Sequence, residues 1–373
     1  MENEVRWHGA PRRARPAWIA LAAIVLFAAV LRWHYFVGFG VTGDDLIYAG
    51  MSKELARNGW SAVDFRYGVN YRLGVSMPLA LLFRVGGFSD VIYVIYPFLM
   101  SLAGIVVVFL LGRRLFGAAA GLTAAFLVAT CPFDAVFASS MTIDIITSCL
   151  AAITVLAFLA AREASAIRSL GYAVVGAVAT LVAYMIKEPA LYLLPCLGTL
   201  TLARIRDRRV IGRDAIFYGA VGAAVAATLV LDYWVTRDPL NRLHVQLPQS
   251  GSALGPITLT LLEYPRMLWL RSGDGTMPFG YLFYALLPAM LYVGVRRPGR
   301  AHVPLLWLLV LVVMLEFFPK QFHPLSLSPR YMRYAHAWVA PACLLDGIDA
   351  DPLGFHVLRR HHRVRAERTK RAQ

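Results

Sequence analysis

From Ala17 onward the chain is built of apolar blocks of about 15 to 23 residues, parted by polar turns. A helix rises about 1.5 Å per residue, so such blocks match a hydrocarbon layer roughly 30 Å thick. They lack the alternation that marks the strands of a transmembrane barrel. With 58% of the 373 residues apolar and only 16% charged, the chain has too little polar surface to cover a water-soluble globule. The class expected is an all-α polytopic membrane protein.

Ten candidate spans can be drawn: 17–35, 91–112, 115–130, 145–161, 169–186, 189–203, 215–234, 277–295, 303–318 and 334–348. Asp346, Asp349 and Asp351 make the last one short. Alternate connections (1–16, 113–116, 162–168, 204–214, 296–302, 349–373) carry 23 of the 37 Lys and Arg in 70 residues, whereas the other set (36–90, 131–144, 187–188, 235–276, 319–333) carries 13 in 128. Arg32 stands inside the first span. Basic loops stay cytoplasmic, so the first set and both termini are expected on that side. The net charge of +15 is then an orientation signal, with no nucleic acid expected as a partner. The basic end "RRHHRVRAERTKRAQ" reads as an anchor on anionic lipid.

The organisation expected is one membrane domain over 1–348 and a basic cytoplasmic tail over 349–373. The segment "PRRARPAWIALAAIVLFAAVL" resembles a signal peptide, but no small-x-small site precedes the next polar stretch, so it is read as a retained helix. Cys131, Cys149, Cys196 and Cys343 lie in or beside apolar runs without CxxC spacing and read as small core residues. Ala- and Arg-rich usage points to a bacterial inner membrane.

The long connections, 36–90 and 235–276, fall on the extracytoplasmic side, and long loops in compact architectures are usually functional. In the first, "GDDLIYAGMSKELARNG" places Ile47, Met51 and Leu55 at helical spacing before an Asn58-Gly59 stop. That pattern predicts an amphipathic helix on the membrane surface. Asp44 and Asp45 fall in its first turn, where the helix dipole favours negative charge. By themselves they read equally as helix-start acids or as a base poised at the membrane rim. Tyr48, Arg66, Tyr71, Arg72 and Arg84 add a cationic and aromatic lining, a composition that interfacial anchoring also explains.

These residues resemble the GT-C superfamily of polyprenyl-phosphate-sugar-dependent glycosyltransferases, in the branch of the protein O-mannosyltransferases and the lipid A aminoarabinose transferase. The likeness begins at "GDDLIYAGMSKELARNG" and continues through "MPLALLFRVGGFSD", "LGRRLFGAAAGLTAAFLVATCPFDAVFASSMTID" and "AYMIKEPALYLLPCLG" to "SPRYMRYAHAWVAPA". In order and spacing it covers most of 17–345. It implies a GT-C-like bundle of about ten transmembrane helices with amphipathic helices in the first outer loop. Asp45 stands where the family usually has Glu. Many relatives carry further helices or a soluble C-terminal domain, and the acceptor class is left open.

The reaction implied is inverting transfer of a sugar from a polyprenyl phosphate, undecaprenyl or decaprenyl, to an acceptor at the extracytoplasmic face. Such a transfer requires a base for the acceptor's proton and fixed positive charge for the departing phosphate. The resemblance assigns the base to Asp44 and orientation of the acceptor to Asp45, and Tyr48 and Arg72 of the loop's lining are read as substrate contacts beside them. Asp144 matches the family's second acidic position, though an acid after Thr142 also suits a helix start. Lys187 lies between two apolar runs too close together for a real loop, and the family's Lys-x-Pro there faces the donor phosphate. Its other reading is a lysine paired with Glu188 or snorkelling to headgroups. Arg330 and Tyr331 resemble the family's Arg-Tyr entry, and an interfacial Arg/Tyr belt is the alternative.

"TRDPLNRLHVQLPQ" resembles the family's mobile loop over the site. His244, His323 and His336 lack zinc-ligand spacing, and no GxGxxG or Walker A run is present. No cofactor is expected, with a divalent cation left possible by the carboxylates. The partners expected are a lipid-linked sugar donor, membrane lipid and an unspecified acceptor. A secondary transporter or lipid flippase would use the same charged residues, but transporters place polar groups at the midplane between related halves, whereas these gather at one face. A noncatalytic scaffold is the third reading, against which the acids and Lys187 speak.

Overall fold

Where backbone crosses lipid, every N–H and C=O must be satisfied within the segment, and apolar blocks of span length therefore become helices. The computed structural model describes residues 14–38, 43–63 and 72–241 and positions 244, 292 and 309, without the side chains of Ala14, Asp44, Ser61, Ala62, Phe133, Glu188 and Pro189. Among the described residues lie α1 (Ala14–His34), α2 (Gly43–Asn58), α3 (Leu73–Gly86), α4 (Asp90–Phe116), α5 (Ala118–Ala129), α6 (Pro132–Phe137), α7 (Ile143–Glu163), α8 (Ala166–Ile186), α9 (Leu193–Leu202) and α10 (Arg208–Thr236). Spans 277–295, 303–318 and 334–348, the tail 349–373, Arg330 and Tyr331 lie outside the described residues.

Five of these helices are long and apolar enough to cross a membrane: α1, α4, α7, α8 and α10. Two expected spans come out shorter. In place of 115–130 stands α5, whose 12 residues rise only about 18 Å. Gly117, at φ 106°, makes the break before it, a conformation that suits a residue without Cβ. In place of 189–203 a 3-10 turn over Glu188–Tyr192 leads into the 10-residue α9, because Pro189 at the start cannot continue the ladder of α8. The connection 131–144, expected as a loop, contains α6.

The first long connection, 36–90, holds two helices, α2 and α3. α2 stops at Gly59, φ 67°, as Asn-Gly foretells. Asp45, Tyr48, Ala49, Ser52 and Leu55 point inward, while Leu46 and Ile47 are exposed, so of the expected stripe Leu55 turns to protein and Ile47 away from it. A helix on lipid is not penalised for showing apolar side chains outward, so its apolar stripe need not face protein. Arg84 Nε donates to Ala56 O at 2.8 Å and pins the end of α3 to α2.

α7 is the hub, enclosed over 89% of its apolar stretch by α4, α8 and α10, whereas α1 and α10 lie at the margin. Small residues let helices approach. A Cβ on Gly112 would stand 2.8 Å from Gly121 Cα, so α4 and α5 touch by backbone. A Cβ on Gly74 would meet Val182 O at 2.7 Å, so α3 lies against α8. One apolar cluster joins α1, α4, α5, α7, α8, α9 and α10. A second joins α2 and α3 to the starts of α4 and α7 and the end of α8, and so defines one end of the bundle.

The opposite end gathers Arg113 and Arg114 of α4, Arg162 of α7 and the arginines before and at the start of α10. There Asp214 accepts from Arg162 Nε at 2.8 Å and from Thr201 Oγ1 at 2.7 Å, tying α7, α9 and α10. The basic connections 113–116, 162–168 and 204–214 thus share one end, and Asp45 shares the other with Asp144 and Lys187.

Candidate functional site

The site end is built on Tyr48, Ala49, Val75, Leu79, Tyr93, Met141, Ile143, Ile146, Ile186 and Ala190, which pack into one apolar floor. Three of the predicted polar residues lie within one helical turn of a member of that floor in sequence. Asp45 precedes Tyr48 by one turn of α2, Asp144 follows Ile143, and Lys187 follows Ile186. The floor therefore brings together three regions that are far apart along the chain.

Asp45 is 1% exposed, and its backbone oxygen accepts from Tyr93 Oη at 2.7 Å. That bond sets the first turn of α2 against the start of α4. The backbone of Asp44 occupies the same turn, and its side chain lies outside those described. Tyr96 Oη donates to Gly74 O at 3.1 Å, a second such bond that sets α3 on α4. Sequence reading missed Tyr93 and Tyr96. The signal present was a pair of tyrosines three apart in the first two turns of an apolar helix, which share one face and reach the same neighbours.

Lys187 Nζ donates to Asp144 Oδ1 at 2.7 Å across the end of α8 and the start of α7. The residues are 7% and 2% exposed, so each charge needs a partner to stay ionised. Asp144 is thus a partner of Lys187 from another helix, and the side chain of Glu188, the other partner considered, lies outside those described. Asp144 does sit in the first turn of α7, but Thr142, the residue before the helix, makes no side-chain cap, and the carboxylate turns to the lysine.

Arg72 precedes α3, and its guanidinium donates to the hydroxyl of Tyr48. Arg72 Nε is enclosed without a hydrogen-bond acceptor among the described residues. This corner of the site has cationic donor capacity to spare and one aromatic wall.

At the head of the loop 235–276, His244 Nδ1 lies 2.6 Å from Asp238 Oδ2, and Leu240 N donates to Asp238 Oδ1 at 3.0 Å. The bond with His244 holds the Asp238 carboxyl below the usual carboxylate range. Among the described residues no three of His, Cys, Asp and Glu converge as a metal would require.

A family model described as dolichyl-phosphate-mannose-protein mannosyltransferase matches residues 74–234, somewhat under half of the chain. None of the curated proteins compared with the chain matches it. Among solved structures, ArnT from Cupriavidus metallidurans in the apo state superposes with a TM-score of 0.63 at 19% identity, covering 93% of this chain and 62% of that one. ArnT bound to undecaprenyl phosphate gives 0.63 at 21% identity, covering 89% and 61%. The Archaeoglobus fulgidus oligosaccharyltransferase tethered with an acceptor peptide gives 0.61 at 14% identity, covering 87% and 49%. The chain thus spans less than two thirds of the length of either of these two proteins. It shares its helical fold with these membrane proteins, and the matches agree with the resemblance to the polyprenyl-phosphate-sugar-dependent glycosyltransferases read from the sequence.

Proposed function

We propose that the protein is a membrane glycosyltransferase that moves a sugar from a polyprenyl phosphate to an acceptor at the extracytoplasmic face, inverting the anomeric carbon. The observation that carries this reading is the gathering of the acidic first turn of α2, the buried Lys187–Asp144 pair and the Arg72–Tyr48 corner over one apolar floor at one end of the bundle. Two of the compared structures, ArnT with undecaprenyl phosphate and the oligosaccharyltransferase with an acceptor peptide, pair this fold with a lipid phosphate of the kind that would leave and with an acceptor, which supports the reading.

In this reading the acceptor's nucleophilic atom attacks the anomeric carbon while the bond from that carbon to the phosphate oxygen breaks. Asp44 takes the acceptor's proton, and the polyprenyl phosphate departs with the bonding pair. Lys187 and Arg72 are proposed to meet the leaving phosphate, since a preorganised cation in a water-poor site stabilises it far more than one in water. Asp45 and Tyr48 shape the acceptor side of the first turn, and Asp144 holds Lys187 in place. Arg330 and Tyr331 are proposed to complete the phosphate contacts. The carrier proposed is a bacterial undecaprenyl or decaprenyl phosphate, with the protein in the inner membrane and both termini cytoplasmic. No metal is needed in this scheme, and transfer is expected to survive EDTA.

The test is transfer of labelled sugar from polyprenyl-phosphate hexose and pentose donors to envelope membranes by the reconstituted protein. Asp44→Asn is expected to lower turnover by roughly a hundredfold or more while donor binding stays, the size of effect a lost general base produces. Undiminished turnover in Asp44→Asn sinks Asp44 as the base. Absence of transfer by the unaltered protein from either donor sinks the glycosyltransferase reading.

A further inference from the structure

Below the candidate site a second polar cluster lies in the bundle, unused by the scheme above. Arg32, in the last turn of α1, is fully enclosed. Its Nε donates to Ser101 Oγ at 2.7 Å, Nη1 to Ala28 O at 3.2 Å and Ala129 O at 3.1 Å, and Nη2 to Val128 O at 3.4 Å and Asp134 Oδ2 at 2.7 Å. Ser101 Oγ donates in turn to Asp134 Oδ2 at 2.7 Å. All five guanidinium donors are thus matched to acceptors on α1, α4, α5 and α6.

Just beyond, Ser139 is also fully enclosed and holds the chain where it leaves α1. Its hydroxyl donates to Tyr35 O at 3.1 Å and accepts from Val37 N at 3.0 Å, and its carbonyl accepts from Gly38 N at 3.0 Å. Gly38 is six residues before Asp44, and Ser139 is five before Asp144. A chain of so few residues spans at most about 3.3–3.6 Å for each one, so fixing its base restricts where its far end can go.

We propose that Arg32 and Ser139 are positioning residues, a clamp that fixes the chain entering α2 against the chain entering α7 and so sets the separation between the first-loop acids and Asp144. A buried guanidinium–carboxylate pair adds little stability over well-packed apolar residues, so its value lies in the geometry it imposes. A charged residue inside a membrane bundle is expected to serve function for the same reason. The clamp itself stands on the observed bonds; only its consequence for turnover rests on the proposed transfer reaction.

The test uses the full chain with Cys131→Ser and Cys343→Ser, which leaves only the buried Cys149 and Cys196 as native thiols. Spin labels at Ile47→Cys on α2 and Val136→Cys on α6, both exposed positions, report the site-end distance. Labels at Ile167→Cys and Ile205→Cys, both exposed near the opposite end, report the rest of the bundle. Ser139→Ala, which removes one hydroxyl, and Arg32→Lys, which keeps the charge but not the fork, are each expected to shift or broaden the first distance and leave the second unchanged. Turnover is expected to fall by roughly ten- to hundredfold with donor KM unchanged, as small misplacement of reacting groups does. A first distance that stays unaltered in both variants overturns the clamp, and so does equal broadening of both distances, which would mean general loosening. Altered site-end distance in a protein that transfers no sugar sustains the clamp and removes the transfer reading instead.

Discussion

Lys187 and Asp144 carry opposite charges in a place where neither is stable alone. Removing one partner strands the other, which typically costs about 3–5 kcal/mol, whereas replacing both by apolar residues of similar size is often neutral. Lys187→Met is therefore expected to lower thermal stability in detergent sharply, and the double change Lys187→Met with Asp144→Leu to recover most of the loss. Under the proposed function the double variant stays inactive and binds polyprenyl phosphate weakly, which separates the lysine's structural part from its chemical one. A second residue-scale expectation concerns Asp238, whose carboxyl is depressed by the bond with His244. A depressed folded-state pKa stabilises the turn above the ordinary aspartate range, and that contribution is lost as pH falls through the folded value. By NMR, the Asp238 carboxyl is expected to titrate below the ordinary aspartate range, and His244→Ala to bring it back up. An unchanged midpoint in His244→Ala would contradict the assigned cause.

The elements differ in how much room their glycines have. Gly74 of α3 faces Val182 O, a backbone atom that cannot step aside, so Gly74→Ala is expected to cost about 1–3 kcal/mol and to push α3 off the end of α8 that leads to Lys187. Gly50 of α2 has open space where a methyl group would stand, with nothing within 4 Å of it, so Gly50→Ala is expected to stabilise by about 0.5–1 kcal/mol through helix propensity. Unfolding of the purified protein by heat should show opposite signs for the two changes; equal signs would mean that α3 does not lie on α8 as described. The inner face of α2 belongs to this scale too. The spacing of Ile47 and Met51 marks an apolar side, but the period does not name what lies on the other, where Tyr48, bonded by Arg72, and Ser52 are enclosed.

At the scale of the whole molecule the charge asymmetry makes an orientation testable. The site end is expected outside and the arginine-rich end inside. In intact cells a membrane-impermeant thiol reagent is expected to label Trp60→Cys, at an exposed position beyond α2, and to spare Ile205→Cys, exposed between α9 and α10. The reverse pattern would place the carboxylates in the cytoplasm and remove the proposed extracytoplasmic chemistry.

The apolar blocks alone determined that the chain is a helical bundle, because lipid admits little else for a segment that long. The Gly59 stop and the isolation of Lys187 between two apolar runs were likewise legible, since each depends on neighbours only a few residues away. Tertiary structure decided the rest. Asp144 as the partner of Lys187, Asp134 as the partner of Arg32 and Tyr93 as the support of Asp45 join residues 43, 102 and 48 positions apart. Sequence states which charges are costly to bury, but only packing determines which opposite charge lies within about 3 Å to offset that cost.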